Sequence, residues 1–102
     1  MKVKFLHLRP IQQYTTRNGT IRAPATRGGV CIAYEVKKEA DGYHVFGVAA
    51  CKCHSKDNYN KQVGRIKSSG RLKSPRFRLD AGGVPEKQFI EQSVMDFDAG
   101  NL

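Results

Sequence analysis

Between Cys53 and Arg78 the chain reads CHSKDNYNKQVGRIKSSGRLKSPRFR, eight Lys or Arg residues against a single acid, with two glycines spaced through them. Positive side chains at this density attract phosphate groups, whether on a nucleic acid or on a small nucleotide. Arginine suits the task best, because its planar fork holds two phosphate oxygens at once. Gly64 lies among Lys56, Lys61, Arg65, Lys67, Ser68 and Arg71. A glycine costs a helix about 1 kcal/mol relative to alanine, so a smooth spot amid charge is what a ligand or a partner helix against that face would require. The alternative is a solvated basic surface with no ligand.

Other constellations carry less. Cys51-Lys52-Cys53-His54 invites a metal reading, with Cys31 as a fourth ligand. In a strand Cys51 and Cys53 would point the same way, about 6.6 Å apart, but structural zinc sites prefer two or more residues between paired cysteines. Small thiols packed in a sheet are the simpler reading, and no metal or other cofactor is expected. No nucleophile elbow, phosphate loop, paired carboxylates or His-Glu cluster appears, so no catalytic residues are assigned and no enzyme is expected. The spacings of the common nucleic-acid folds are also missing, which leaves nonspecific phosphate binding open.

The elements that must hold these residues can be read from periodicity. Residues 2–8 alternate as a first strand, stopped by Pro10. Between residues 12 and 25, Asn18-Gly19 marks a tight hairpin turn; the polar flanks and Arg17, Arg22 and Arg27 indicate an exposed arm. Residues 30–38 and 43–53 form the clearest strands, joined through Asp41-Gly42. In the second strand Phe46, Val48 and Ala50 share one face and Val45, Gly47, Ala49 and Cys51 the other. Both faces are apolar or small, so this strand is central. A helix over residues 55–73 follows, with Ser55 as N-cap and Asp57 complementing its dipole. Tyr59, Val63, Ile66 and Gly70 make a stripe expected to pack on the sheet, where Gly70 permits close approach and Gly64 has no packing role. Residues 76–79 could form a short strand, Gly82-Gly83 a break, and Pro85 the first turn of a last helix with Phe89, Ile90, Val94 and Phe97 as its apolar stripe. The expected fold class is α+β: an antiparallel sheet with the central helix packed across it and a C-terminal helix. Residues 1–102 make a single domain, comprising a strand and arm over 1–29, a strand-strand-helix unit over 30–73, and a short strand with an acidic helix over 74–102.

Charge follows these segments. The net charge of +9 divides into +5 over residues 1–51, +8 over 52–78 and −4 over 79–102. The last helix, with Glu86, Glu91, Asp96 and Asp98, is therefore placed to dock on the basic region of its own chain or of a second copy. At 102 residues the core is modest and a partner subunit would help, so a homo-oligomer is expected. No apolar run approaches a membrane span, the start lacks the apolar block of a signal peptide, and three cysteines fit a reducing cytoplasm.

GGVCIAYEV, followed by YHVFGVAACKCHSKDNYNKQVGRIKSSGRL, resembles a set of small bacteriophage proteins. These share a Gly-Gly strand start, a G/S-V-A-x-C strand end, then S-x-K-D-x-F/Y-x-K/R-x-x-G-R and a second Gly-Arg. The resemblance spans residues 27–72 and points to the Thoeris anti-defence sponges, family one. Such proteins sequester signals of the cyclic ADP-ribose type without cleaving them, in oligomers whose pockets lie where subunits meet. The resemblance implies roles for Asp57, Asn58, Tyr59, Lys61, Gly64, Arg65, Gly70 and Arg71; Asn60, Arg76 and Arg78 lie close by and suit base or phosphate contacts. Ligand-binding candidates are thus Asn58, Asn60, Lys61, Gly64, Arg65, Arg71, Arg76 and Arg78. The implied partner is a cyclic ADP-ribose isomer, with cyclic oligonucleotides as further candidates, in the cytoplasm of an infected bacterium. The chain departs from the pattern at Cys53-His54, at Lys67-Ser68-Ser69 and in its acidic last helix. The alternative is a phage protein that binds DNA, RNA or a host nucleic-acid-binding protein through the basic helix.

Overall fold

The computed structural model describes residues 2–24 and 27–101, apart from the side chains of Gln12, Tyr14, Pro24 and Ser55. In chain order the elements are β1 (Lys2–Leu8), β2 (Ile11–Thr16), β3 (Gly19–Pro24), β4 (Arg27–Glu39), β5 (Gly42–Asn58), α1 (Lys61–Leu72), β6 (Leu79–Pro85) and α2 (Glu86–Asp98). Four strands form an antiparallel sheet in the order β1-β4-β5-β6, and β2 and β3 pair separately as a hairpin arm. The fold is α+β, with β5 central as its two-sided apolar pattern requires. The tight turns fall one residue early: Thr16 pairs with Gly19 and Glu39 with Gly42, so the loops are Arg17-Asn18 and Ala40-Asp41.

Alternation along β4 divides the core. Val30, Ile32, Tyr34 and Val36 face one side, where Phe89 and Phe97 of α2 cover them; the Tyr34 and Phe89 rings lie 5.0 Å apart. Cys31 and Ala33 face the other side, with Ala49 of β5 and Leu72 of α1. The two helices therefore cover opposite faces of the sheet. One irregularity corrects the expected facing of β5: Gly47 pairs with Glu35 but Val45 pairs with Val36, so Phe46 is the extra residue of a bulge. That extra residue moves Val45 onto the Val48 face, in the core under α2.

The helix after β5 differs from expectation in start and in facing. β5 runs to Asn58, and Asn60 rather than Ser55 caps α1, its Oδ1 accepting the Val63 N–H at 3.1 Å. The backbone of Ser55 and Asp57 is strand, so Asp57 is not in the first turn. The stripe of Val63, Ile66 and Gly70 faces outward: Val63 is 43% and Ile66 65% exposed. Gly64, Ser68 and Leu72 face the sheet instead. A Cβ on Gly64 would stand 2.9 Å from the Cys31 Cβ, while one on Gly70 would meet nothing within 4 Å. The glycine roles are thus exchanged: Gly64 is the point of close approach. The cause is the sheet's small-residue floor of Cys31, Ala33 and Ala49, which draws the helix in until only a small face fits. Further on, the strand expected over residues 76–79 forms instead as Leu79–Pro85 and includes Gly82-Gly83, and Pro85 is the N-cap of α2. Val94 is more exposed than its place in the expected apolar stripe implies. No helix among the described residues is long and apolar enough to cross a membrane.

Candidate functional site: a cleft between the end of β5 and helix α1

The far end of β5 departs from regular pairing in a way that builds a cleft. Gly29 pairs with Cys53 and Arg27 with Asn58, so Gly28 alone faces the four residues 54–57. This wide bulge carries the backbone away from the sheet and returns it at Asn58, Tyr59 and Asn60, where α1 starts. A cleft of about 330 Å³ opens between bulge and helix. Its floor is small and partly apolar, from Cys31, Cys51, Val63 and Gly64. Asn58 and Asn60 supply amides, Lys52, Lys67 and His54 supply cations or donors, and Asp57 is the one acid.

Tyr59 fixes the cleft to the sheet. Its ring lies on Gly29, where a Cβ would come within 2.8 Å of ring carbon and of the Leu8 carbonyl oxygen; with φ of +123°, Gly29 has a backbone that only glycine adopts readily. The Tyr59 oxygen lies 2.6 Å from His7 Nδ1 and its hydroxyl donates to the Val30 carbonyl at 3.4 Å. A neutral His7 donating from Nδ1 completes the chain. Burial first, and then Lys61, Arg65 and Arg9, push the His7 pKa below its ordinary value, which favours that neutral form. Burial also pushes the Tyr59 pKa up to about 12, and the Cys31 thiol upward. The Arg9 guanidinium sits 5.6 Å from the Tyr59 ring centre. Beneath the cleft, Ser68 donates to the Gly64 carbonyl at 2.6 Å, with the Cys31 sulfur 3.5 Å from the same hydroxyl.

The structure brings some of the expected site residues together and separates others. Asn58, Asn60 and Gly64 line the cleft. Lys61 lines a different groove of about 370 Å³ with His7, Arg9, Ile11 and the end of α2. Arg65 is on that side too, its Nε donating to the Lys61 carbonyl at 3.4 Å while its charge acts on His7. Arg71 donates to the Ala50 carbonyl at 2.9 Å and lies 5.6 Å from the Phe77 ring centre. Arg76 is exposed. Arg78 forms a two-pronged ion pair with Glu35, at 2.9 and 3.4 Å, and a 3.2 Å contact with Asp80, all over the bare backbone of Gly47. Its charge is committed within the chain.

Lys52 and Lys67 were not among the expected residues, yet both line the cleft. Strand alternation sets Lys52 on the face away from Cys51 and Cys53, paired with Val30 in register, so the sequence holds no signal for its place at the cleft. Lys67 becomes visible only once the outward face of α1 is known. The thiol cluster is not gathered as a metal site would be: the Cys53 sulfur lies 3.6–3.7 Å from the carbonyl oxygens of His54, Asp57 and Asn58. Among the described residues, no three His, Cys, Asp or Glu side chains converge. No protein-family model, curated protein or solved structure matches the chain.

Proposed function

We propose that the protein binds and sequesters a cyclic nucleotide signal of the cyclic ADP-ribose type without cleaving it, as a homo-oligomer acting for a phage inside its bacterial host. The observation that carries this reading is the cleft itself. A small apolar floor suits a base or ribose face, the amides of Asn58 and Asn60 suit base edges or hydroxyls, and Lys52 and Lys67 suit phosphates. Its volume of about 330 Å³ lies at the lower end of the ~300–1,000 Å³ range of ligand sites, which fits a site completed by a second subunit. Arg78 does not belong to it, and Lys61 and Arg65 reach a ligand only around the end of α1. Calorimetric titration with cyclic ADP-ribose isomers and cyclic oligonucleotides tests the reading: saturable binding lost in Lys52→Ala and Lys67→Ala is the expected outcome, and heat-silent mixing with every ligand would sink it.

The second reading, binding to DNA or RNA, is favoured by the exposed cations on the outward side of α1 and on the hairpin arm. Titration with duplex DNA across a salt series separates the two. Binding that falls steeply and linearly in log–log form with salt, without preference for cyclic nucleotides, belongs to the second reading.

A further inference from the structure

Two thiols face one another across the floor of the cleft. Cys31 of β4 and Cys51 of β5 are directly paired in register, in a stretch of ladder that runs unbroken from Gly29 to Glu35. Residues opposite one another in an antiparallel ladder have Cα atoms about 4.5–5.5 Å apart, inside the ~4.4–6.8 Å range that a disulfide spans. Opposed side chains share one face of the sheet, so both sulfurs lie on the side that α1 covers, and both residues line the cleft. Their exposure differs. Cys31 is buried beneath Gly64 and Ser68, whereas Cys51 is half-buried in the cleft wall and can be reached from solvent. Cys53 stands apart: its partner in register is Gly29, which carries no thiol, and its S–H donates toward the carbonyl oxygens of His54, Asp57 and Asn58.

We propose that Cys31 and Cys51 form a reversible cross-strand disulfide by exchange with a low-molecular-weight disulfide, Cys51 reacting first and Cys31 second. The exchange does not depend on which ligand the cleft takes. In the first step the Cys51 thiolate attacks one sulfur of the small disulfide; a bond forms between them and the other half leaves as a thiolate. In the second step Cys31 releases its proton to solvent and attacks the Cys51 sulfur, and the remaining half leaves as a thiolate. Two cysteine thiols thereby give up two electrons and two protons, and one small disulfide becomes two thiols. Burial raises the Cys31 pKa, so that thiol is a poor entry point for an outside reagent and acts once Cys51 is loaded beside it. Closing the bond orphans no polar group, because the Ser68 hydroxyl keeps its 2.6 Å bond to the Gly64 carbonyl. Opposed Cβ atoms about 4.5–5.5 Å apart stand wider than the ~3.8 Å of a relaxed disulfide, and that strain keeps the bond easy to reduce. A reducing cytoplasm therefore holds both thiols free, and the bond forms when the pool of small disulfides rises.

Trypsin separates the three cysteines, leaving Cys31 in residues 28–37, Cys51 in 39–52 and Cys53 in 53–56. The folded protein is incubated with oxidised glutathione, its remaining thiols are blocked with iodoacetamide, and it is then unfolded and digested without reductant. Mass spectrometry should find residues 28–37 joined to 39–52, in a species that dithiothreitol separates. Cys31→Ser should instead retain glutathione on Cys51, and Cys51→Ser should leave Cys31 unmodified. Cys53→Ser should cross-link as the wild type does. An unchanged far-ultraviolet circular dichroism spectrum shows that each variant folds, and the wild type and Cys53→Ser decide the matter even where the buried Cys31→Ser change prevents folding. A wild type that does not react, or that carries glutathione on Cys51 with Cys31 unlinked, would overturn the proposal. So would a bond from Cys53 to either partner, or glutathione on Cys31 in Cys51→Ser.

Discussion

A methyl group added at Gly64 would stand 2.9 Å from the Cys31 Cβ, closer than packed carbons sit, and the backbones of α1 and β4 leave it no direction to move. Gly64→Ala should therefore destabilise the fold by about 1–3 kcal/mol through overpacking, despite the helix-propensity gain of about 1 kcal/mol. Gly70→Ala meets nothing within 4 Å and should stabilise the dissociated chain by about that propensity gain. Urea unfolding at low protein concentration reads both; equal shifts would refute the contrast. A second residue-scale effect concerns Tyr59 and His7. Because burial and three nearby cations hold the folded-state His7 pKa below the unfolded value, its contribution is present above about pH 6.5 and is lost as pH falls toward the lower folded value. Tyr59→Phe removes the hydroxyl between His7 and the Val30 carbonyl and should cost about 1–2 kcal/mol at neutral pH. Urea unfolding at pH 7.5 checks the cost, and no change would mean that the contact is not needed to hold the cleft to the sheet.

His44 works at the scale of elements, tying the β4–β5 turn to β6. Its Nδ1 faces the Gly83 carbonyl and its Nε2 lies 2.8 Å from Asp41, so both bonds form only when the ring is protonated. The Gly83 carbonyl first, and then Asp41, raise its pKa. The sign is opposite to that of His7: stabilisation is present below about pH 6.5 and is lost as pH rises through the higher folded value. Hydrogen exchange of β6 amides, corrected for intrinsic rates, should show protection falling through that interval in the wild type and flat in His44→Gln; a pH-independent wild type would contradict the clamp. Arg78 is the other tie, joining the start of β6 to Glu35 of β4. Elements were also where sequence reading succeeded and failed most clearly. Alternation in residues 43–53 placed the central strand, because a strand covered on both sides leaves no polar face to mislead. The α1 stripe misled, because a sheet floor of Cys31, Ala33 and Ala49 selects Gly64 and Ser68 for contact and leaves Val63 and Ile66 outside. Hydrophobic periodicity assumes that large apolar residues mark the buried face, and a close helix approach breaks that assumption. The extension of β5 to Asn58 was hidden for a related reason, since the four-residue bulge opposite Gly28 has no regular alternation to read.

At the scale of the molecule, one long strand joins two ends of different character. The described residues extend 51 Å along their longest axis. The cleft lies at the Asn58 end of β5 and the His44 tie at the Gly42 end, so changes at one should leave the other alone, as additivity between distant sites requires. Of the residues expected at the site, Asn58, Asn60 and Gly64 line the cleft, but Gly64 does so as the point where α1 closes on the sheet and not as a bare spot on an exposed basic face. Arg71 and Arg78 were not separable from them by sequence, since only the tertiary structure shows their guanidinium groups turned to Ala50 and to Glu35. The account's central claim is that the cleft holds an intact cyclic nucleotide, and retention measures this most directly. The protein is mixed with cyclic ADP-ribose isomers, freed of unbound ligand by gel filtration, denatured, and the released nucleotide identified by mass spectrometry. The account predicts recovery of the intact cyclic compound in amounts approaching one per cleft, and loss of that recovery in a Lys52→Ala, Lys67→Ala double variant that folds normally. Recovery of a cleaved product, or of no nucleotide from any isomer, would contradict it.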